Sequence, residues 1–228
     1  MADERPVIAI TGASSGIGAA TARLAAERGW RVTLAARSQE RLDEVASEIG
    51  DDAATVLCDV TDWEQQRAMV DTTLKRFGRL DAVFANAGFG APRGFTESTV
   101  EHWREMVLTN VYGAALTIRA SVGALRESRG HMLLTSSVAG RRVLPGSLYS
   151  CTKHAVSAMG EALRQELDGS GVRVTLISPG MTDTPFFERR PTEGLEPGDV
   201  ARAVLFALEQ PAHVDVNEVL VRPTAQSG

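Results

Sequence analysis

A tyrosine and a lysine stand four positions apart in the segment LYSCTKHAV, residues 148–156. In an α-helix this spacing places Tyr149 and Lys153 on the same face, one above the other. A nearby ammonium group favours the charged form of a phenol, whose ordinary pKa is about 10. The pair is therefore either a proton donor with its activator or two side chains on a solvated helix surface.

A second chemical pattern is the segment TGASSGIG at residues 11–18, which follows the apolar run VIAIT and precedes a helical pattern. Its glycines permit a tight turn, close approach of a pyrophosphate to the backbone, and packing of the helix on the strand. The free N–H groups at the start of the helix would bind the pyrophosphate. The alternative is an ordinary strand-to-helix turn. The residues predicted to bind a dinucleotide are Gly12, Ser14, Ser15, Gly16, Ile17 and Gly18.

The end of the second apolar run indicates which dinucleotide is bound. Enzymes that bind NAD through such a glycine loop usually carry an acidic residue there, which accepts hydrogen bonds from the ribose. This chain has Ala36 followed by Arg37, so no carboxylate repels a 2′-phosphate and a guanidinium is available to pair with it. NADP(H) is therefore favoured over NAD(H), with a solvated arginine as the alternative. Asp59 and the Val60 backbone would contact the adenine edge, whereas Asp62 is better explained as a helix cap.

These residues require a scaffold of alternating strands and helices. Seven apolar runs predict strands, and nearly all are continuous, as in a mostly parallel sheet buried on both faces. The fold class is therefore a doubly wound α/β Rossmann fold in one domain, residues 1–228, with ligands at the carboxyl ends of the strands. The predicted strands are 7–11, 31–36, 54–60, 80–88, 131–137, 172–180 and 217–221. The predicted helices are 16–29, 38–49, 62–77, 101–126, 148–168 and 198–210.

Composition excludes several function classes. The 228 residues carry a net charge of −5 with scattered Lys and Arg, which argues against nucleic-acid binding. The acidic N-terminal segment has no signal-peptide pattern and no run is long enough for a membrane span, so we expect a cytoplasmic protein. Neither the two cysteines nor the four histidines show metal-ligand spacing, and we expect no metal.

The chain resembles the short-chain dehydrogenase/reductase family in its small single-domain form. The resemblance rests on the order and spacing of TGASSGIG, DV at 59–60, NAG at 86–88, LTNVYG around Asn110, TSSVAG at 135–140, YSCTK and PGMTDT at 179–184. Ala85 replaces a second asparagine that many members have before NAG. Together the motifs cover nearly the whole length of the chain.

The resemblance implies a role for each motif. Tyr149 would be the general acid in reduction and the base in oxidation, with its pKa lowered by Lys153 and by the oxidised nicotinamide. Lys153 would also bind the nicotinamide ribose, and Asn110 would hold a water that links Lys153 to solvent. The alternative for Asn110 is a polar residue in a kinked helix. The further cofactor-binding residues implied are Asn86, Ala87, Gly88, Pro179, Gly180, Thr182 and Thr184.

One serine of the family pattern has two candidates. The family commonly places the serine that binds the substrate oxygen thirteen residues before the tyrosine, which selects Ser136. Matching SVAG to its counterpart selects Ser137, with a deletion in the following RRVLPG loop. Loops absorb deletions more readily than strand ends, so Ser137 is preferred. For Thr182 and Thr184, helix capping is the alternative to contact with the nicotinamide carboxamide.

The resulting function is NADP(H)-dependent interconversion of a small aldehyde, ketone or oxo acid and its alcohol. A non-catalytic NADP(H) sensor is the alternative, and an isomerase or dehydratase usually needs a longer C-terminal substrate domain. Phe89, Leu144, Phe186 and Phe187 would form an apolar substrate pocket or be packed elsewhere, and Arg141 and Arg142 would meet a substrate carboxylate or be solvated.

We also expect a homodimer or homotetramer, because helices 101–126 and 148–168 commonly pair between subunits in this family. Leu116, Val156 and Met159 are predicted to face partly outward on these helices. The alternative is that these residues pack only on the sheet of their own subunit.

Overall fold

A single seven-stranded parallel sheet runs through the molecule, as a computed structural model of residues 4–186 and 191–226 shows. The strand order is β3-β2-β1-β4-β5-β6-β7, which reverses between β1 and β4. Such a reversal opens a crevice at the carboxyl edge, where doubly wound folds bind ligands. The strands are β1 (Val7–Thr11), β2 (Arg31–Ala36), β3 (Ala53–Leu57), β4 (Ala82–Ala85), β5 (His131–Thr135), β6 (Arg173–Pro179) and β7 (Glu218–Val221).

Helices cover both faces of the sheet, which explains why the central strands are continuously apolar. One apolar cluster joins the sheet to α1, α2 and α7, and the other joins it to α3, α5 and α6. The helices are α1 (Gly16–Glu27), α2 (Gln39–Ile49), α3 (Trp63–Phe77), α4 (Val100–Val107), α5 (Ala114–Ser128), α6 (Leu148–Glu166) and α7 (Pro197–Leu208). The predicted doubly wound fold is confirmed.

Several predicted strands extend beyond the hydrogen-bonded ladder. β3 ends at Leu57 instead of residue 60, and β4 covers Ala82–Ala85 instead of 80–88. The extra residues leave the sheet because they form the loops at its carboxyl edge: the Asp59 carbonyl accepts from the Asp62 N–H at 3.0 Å, closing a turn. The residues that looked like strand ends are therefore the residues of the candidate site.

The predicted helix 101–126 is divided. Between α4 and α5 lies a π-helical segment, Leu108–Gly113, which contains Asn110. π-Turns inside α-helices are rare and frequently accompany functional sites. The apolar periodicity around this segment is helical, so it predicts one continuous helix and does not indicate the wider turn.

Two residues predicted to face outward are buried in their own subunit. Leu116 is 7% exposed and Val156 is 2% exposed, whereas Met159 is half-buried. Val156 belongs to the apolar cluster beneath α6, on the sheet side of that helix. No helix in the described ranges is long and apolar enough to span a membrane.

Candidate active site

The carboxyl edge of the sheet is held together by threonines and one asparagine. The Thr11 hydroxyl at the end of β1 accepts from the backbone N–H groups of Asn86 and Ala87, at 3.0 and 3.2 Å. The Asn86 amide donates to the Thr11 carbonyl at 3.1 Å and accepts from the Thr135 hydroxyl at 3.2 Å. The ends of three neighbouring strands are thereby fixed to one another. Sequence reasoning missed Thr11 and Thr135, although a threonine ending each of two apolar strands was a visible signal.

The glycine loop has the tight geometry expected of it. Gly12 and Gly16 have φ of +67° and +53°, a backbone conformation that side chains disfavour. A Cβ on Gly18 would collide with the Gly12 carbonyl oxygen, so only glycine fits where α1 approaches the loop. The Thr184 methyl group lies over Gly16, only 3.1 Å from where a Cβ would be, which is closer than an ordinary van der Waals contact.

The start of α1 leaves its backbone N–H groups available. In the described part of the chain, the Ser15 side chain does not cap the helix, and no acidic residue lies in its first turn. Three other helices show the contrast: Ser38, Asp62 and Ser147 cap α2, α3 and α6 through their side chains. A helix N-terminus with free N–H groups and a positive dipole end favours an anion.

Arg37 and Asp59 lie at the ends of neighbouring strands, β2 and β3. Arg37 is exposed, and its charge acts on Asp59. Burial raises the pKa of the Asp59 carboxyl, but hydrogen bonds from Thr61 and the Arg37 charge outweigh this effect and lower it. Both hydrogen bonds from Thr61 fall on Oδ1, at 2.9 and 2.7 Å. Val60 beside them is buried against Gly113 of the π-helical segment.

Tyr149 and Lys153 lie on the same face near the start of α6. The Lys153 Nζ is 5.6 Å from the centroid of the Tyr149 ring. Lys153 is only 4% exposed and donates to the Thr135 carbonyl oxygen at 2.8 Å. This contact fixes the lysine to the end of β5, so that the helix and the strand end position the pair jointly.

Of the two candidate serines, only Ser137 reaches the tyrosine. Its hydroxyl forms a hydrogen bond with Tyr149 and lies 3.4 Å from the Pro179 carbonyl oxygen. The Ser136 side chain points away from that of Ser137, and its hydroxyl donates to the Lys153 carbonyl at 3.2 Å. The alternation of side chains at a strand end separates the two neighbours in this way.

The pKa values of the central pair depart from the sequence expectation. Burial raises the pKa of Tyr149 to about 12, and the hydrogen bond with Ser137 only partly opposes this. Burial lowers the pKa of Lys153 to about 8. Lys153 does not lower the pKa of Tyr149 as expected, because its ammonium faces the Thr135 carbonyl and desolvation of the phenol dominates. Near neutral pH both groups therefore hold their protons.

Asn110 is buried and fixed by its neighbours. Its amide nitrogen donates to the Phe89 carbonyl at 2.9 Å and to the Thr152 hydroxyl at 3.1 Å, and its oxygen accepts from the Phe89 N–H at 3.0 Å. Both amide hydrogens thus bind protein groups. A Cβ on Gly88 would lie 3.0 Å from the Asn110 oxygen and 3.6 Å from the Lys153 Nζ, so this glycine allows all three to meet.

The segment after β6 closes one side of the crevice. Gly180 donates to the Val221 carbonyl at 2.7 Å, and the buried Thr182 forms a bridge with Leu195. The Thr184 hydroxyl accepts from the Phe186 N–H at 3.3 Å in a turn, and neither threonine caps a helix in the described ranges. The Phe186 ring packs edge-on against Tyr149, with centroids 5.3 Å apart.

The remaining pocket candidates differ in position. Phe89 packs edge-on against His102, and Leu144 is half-buried. Arg141 forms a two-pronged ion pair with Glu218, so its guanidinium is held by this chain's own carboxylate, whereas Arg142 is exposed. Phe187 lies outside the described residues.

Metal-ligating side chains do not cluster within residues 4–186 and 191–226: no three His, Cys, Asp or Glu side chains could share an ion. Cys58 is buried, and its thiol pKa is raised to about 12, first by burial and then by the charges of Asp59 and Asp62. Cys151 is exposed on α6.

Comparison with known proteins agrees with this geometry. The family model for short chain dehydrogenases matches residues 6–194. An uncharacterized oxidoreductase of Staphylococcus saprophyticus is 42% identical over 226 residues, which is 95% of this chain and 97% of that protein. An alcohol dehydrogenase of the archaeon Thermococcus sibiricus, complexed with 5-hydroxy-NADP, superposes with a TM-score of 0.90 at 33% identity over 99% of both chains. A 3-ketoacyl-(acyl-carrier-protein) reductase of Brucella melitensis, complexed with NADH, gives a TM-score of 0.88 at 29% identity, covering 95% and 96% of the two chains. The chain belongs to the short-chain dehydrogenase family of oxidoreductases.

Proposed function

We propose that this protein is an NADP(H)-dependent oxidoreductase that interconverts a small carbonyl compound and its alcohol by hydride transfer. One observation carries the proposal. Tyr149, Ser137 and Lys153 lie together at the same edge of the sheet as an uncapped helix N-terminus. A proton donor and an anion site thereby share one crevice.

The residues around the crevice fit a dinucleotide. The glycine loop and the free N–H groups of α1 suit a pyrophosphate, and no acidic side chain in the described first turn opposes it. Asp59 and Val60 would contact the adenine edge, and Lys153 would bind the nicotinamide ribose. The segment Pro179–Thr184 would hold the carboxamide. When bound, the nicotinamide supplies the hydride, which no side chain can provide.

The preference for NADP rests on Arg37. It stands at the end of β2, follows an alanine instead of an acidic residue, and remains exposed. A guanidinium pairs well with a phosphate because it forms strong charge-assisted hydrogen bonds. Of the two structural relatives described above, one was solved with an NADP derivative and the other with NADH, so the choice depends on this chain's own residues.

The proton step follows from the pKa values. With its pKa raised to about 12, Tyr149 is protonated near neutral pH and can donate to the oxygen of a carbonyl as it becomes an alkoxide. Ser137 would donate to the same oxygen and orient it. A protonated Lys153 would stabilise the phenolate that remains after the transfer. In the oxidation direction, the charge of the nicotinamide would add to that of Lys153.

Asn110 would support this step by position. Its two amide hydrogens bind Phe89 and Thr152, so it would join the proposed water relay through its oxygen. The π-helical segment places that oxygen beside Gly88 and, through this glycine, near Lys153. We propose that Asn110 both fixes the loop after β4 and accepts a hydrogen bond from the relay water.

The substrate is a small carbonyl compound with an apolar side. Phe186 lies against Tyr149 and is 37% exposed, so its ring would contact a bound substrate. Because Arg141 is paired with Glu218, it would not hold a substrate carboxylate. Aldehydes and ketones are therefore favoured over charged oxo acids.

We further propose a dimer built through the outer faces of α4–α5 and α6. A stripe of small side chains at helical spacing runs along the outer side of α6 beside the exposed Glu161 and Gln165, namely Cys151, Ala155, Ala158 and Ala162. Helices with small side chains can approach one another closely, and a twofold axis would bring two copies of this face together. Light scattering at micromolar concentration should give a dimer or tetramer mass, and Ala158→Glu should shift it toward the monomer. A monomer mass for active wild-type protein would exclude this assembly.

The proposed function is tested with a panel of aldehydes, ketones and oxo acids offered with NADPH and with NADH. We expect oxidation of NADPH with at least one uncharged carbonyl compound, at a higher kcat/KM than with NADH. Tight binding of NADPH without turnover of any compound would favour a non-catalytic sensor and reject the proposal.

A further inference from the structure

A pair of serines, Ser136 and Ser157, lies one helical turn beyond Lys153 along the same face of α6. The Ser136 hydroxyl lies 2.7 Å from the Ser157 hydroxyl, and it donates to the Lys153 carbonyl oxygen at 3.2 Å. The Ser157 hydroxyl also lies 3.4 Å from the Gly140 carbonyl oxygen. Ser136 is 1% exposed, so these bonds form away from solvent. The two hydroxyls thus connect the end of β5, the turn at 138–140 and helix α6.

The packing at this junction leaves no spare room. A Cβ on Gly140 would collide with the Ser136 hydroxyl and would lie 2.7 Å from the Lys153 carbonyl oxygen. The backbone N–H of Ser136 also donates to the Ile177 carbonyl at 2.8 Å. Hydrogen bonds of Ser136 therefore fix the end of β5 to β6 on one side and to α6 on the other.

The junction sets the relation between the three residues of the proposed chemistry. Ser137 follows Ser136 directly and forms the hydrogen bond with Tyr149. Lys153 is the residue whose carbonyl Ser136 binds, and its ammonium binds Thr135, the residue before Ser136. A movement of α6 relative to the strand end would change the Ser137–Tyr149 and Lys153–Thr135 contacts together.

We propose that Ser136 is a positioning residue, which acts with Ser157 to hold Lys153 and Ser137 in register with Tyr149. The inference rests on the proposed function, since it assumes that Tyr149 is the proton donor. Ser136 does not contact the reacting atoms; it acts by holding the backbone of Lys153. Catalytic groups displaced by about 1 Å can lose up to about 100-fold in rate, so a small shift at this junction has a measurable effect.

The test compares Ser136→Ala with Ser121→Ala. Ser121 is a matched control, because it is also a fully buried serine whose hydroxyl donates to a backbone carbonyl, that of Thr117 at 2.6 Å on α5. We expect Ser136→Ala to lower kcat about tenfold with little change in KM for NADPH. We expect Ser121→Ala to leave kcat unchanged at a similar loss of thermal stability. Equal kcat losses in the two variants, or none in Ser136→Ala, would overturn the proposal.

A second readout needs no turnover. The chain has two tyrosines, so a Tyr112→Phe background leaves Tyr149 as the only one, and ¹³Cζ-tyrosine NMR then follows its titration alone. With NADP⁺ added, Ser136→Ala should raise the pKa of Tyr149, because a displaced Ser137 no longer favours the phenolate through its hydrogen bond. An unchanged titration would overturn the positioning role. Lack of turnover in the wild type would instead reject the proposed function, and the titration would still be interpretable.

If Ser136→Ala does not fold, Ser157→Ala removes the same hydrogen bond from its half-buried end. We expect a smaller fall in kcat and a smaller rise in the Tyr149 pKa, because Ser136 keeps its bond to the Lys153 carbonyl. Wild-type kcat and an unchanged titration in a folded Ser157→Ala protein would contradict the role of the pair.

Discussion

The two ends of strand β5 both bury ionisable groups, yet only one end has the features of an active site. His131 begins the strand at the amino edge of the sheet and is 1% exposed. Thr135 ends it at the carboxyl edge and binds the buried Lys153. Burial shifts the pKa of both ionisable groups downward, to about 3 for His131 and about 8 for Lys153.

At the amino edge the polar groups bind one another and the backbone. His131 Nε2 lies 2.7 Å from the Thr175 hydroxyl, and that hydroxyl donates to the Val216 carbonyl at 2.6 Å. Because the Thr175 hydrogen is thus engaged, His131 must be the donor and carries its proton on Nε2. Beside it, the Arg173 guanidinium donates to backbone carbonyls at the end of α7, among them those of Leu208 and Gln210.

At the carboxyl edge, groups that can exchange protons or bind anions converge on a crevice. Tyr149 retains a transferable proton, Ser137 reaches it, and α1 starts without a side-chain cap. The difference shows that a shifted pKa alone does not identify a functional site. What separates the two edges is a proton donor beside an uncapped helix N-terminus, at the edge where doubly wound folds bind ligands.

The largest expected effect is on the carboxyl edge. Tyr149→Phe removes only the transferable proton, so we expect turnover to fall about 100-fold or more while NADPH affinity stays near wild type. Steady-state rates and fluorescence titration measure the two quantities. Tyr112→Phe, which changes the exposed second tyrosine, is the control and should keep full activity. A Tyr149→Phe protein with more than about a tenth of the wild-type rate would remove Tyr149 from the proposed role.

The next effect concerns cofactor choice at the same edge. Arg37→Ala should weaken NADPH binding by about one to two decades and leave NADH binding nearly unchanged, because only NADPH has the 2′-phosphate. Arg41→Ala, an exposed arginine on α2 close in sequence, serves as the control for a general loss of positive charge. Equal weakening of both cofactors in Arg37→Ala would contradict the proposed preference for NADP.

The smallest expected effect on activity is at the amino edge, where the change is in stability. The pKa of His131 is lowered in the fold, so below about pH 6.5 the unfolded chain binds a proton that the folded chain does not. Stability from this group is therefore complete above that pH and is lost as the pH falls, by up to about 1.4 kcal/mol per pH unit.

His131→Gln should reduce that loss, because its amide can still donate to Thr175 but does not titrate. Urea unfolding between pH 4 and 7 measures the effect, with His213→Gln, an exposed histidine, as control. We expect wild-type kcat in both variants. If the pH dependence of His131→Gln equals that of the wild type, His131 does not limit acid stability.

Much of this molecule could be predicted because its signals are local. Continuous apolar runs identify the strands, and the glycines at 12, 16 and 18 indicate the turn into α1. The predicted strands run past the ends of the observed ones, because the loops at the carboxyl edge are as apolar as the strands. Val60 is an example. The pairing of backbone hydrogen bonds between strands decides where the ladder ends, and the apolar pattern carries no information about this pairing.

The parts that could not be predicted depend on contacts between distant residues. The orientation of Ser136 and Ser137 follows from the packing of α6 against β5, and the pKa of Tyr149 from its desolvation. The engagement of Arg141 depends on Glu218, 77 residues away. Of the residues predicted to face partly outward on the paired helices, Leu116 and Val156 are buried within the subunit and Met159 is half-buried. Helical spacing alone did not determine which face meets the sheet.

Transfer of deuterium from cofactor to substrate tests the central claim most directly. NADPH deuterated at the transferring C4 position is incubated with the protein and the best carbonyl compound of the panel, and the alcohol is analysed by mass spectrometry. The account predicts one deuterium on the carbinol carbon with wild-type protein. With Tyr149→Phe it predicts that the rate of labelling falls by about 100-fold or more. An unlabelled alcohol, or the same labelling rate in both proteins, would contradict it.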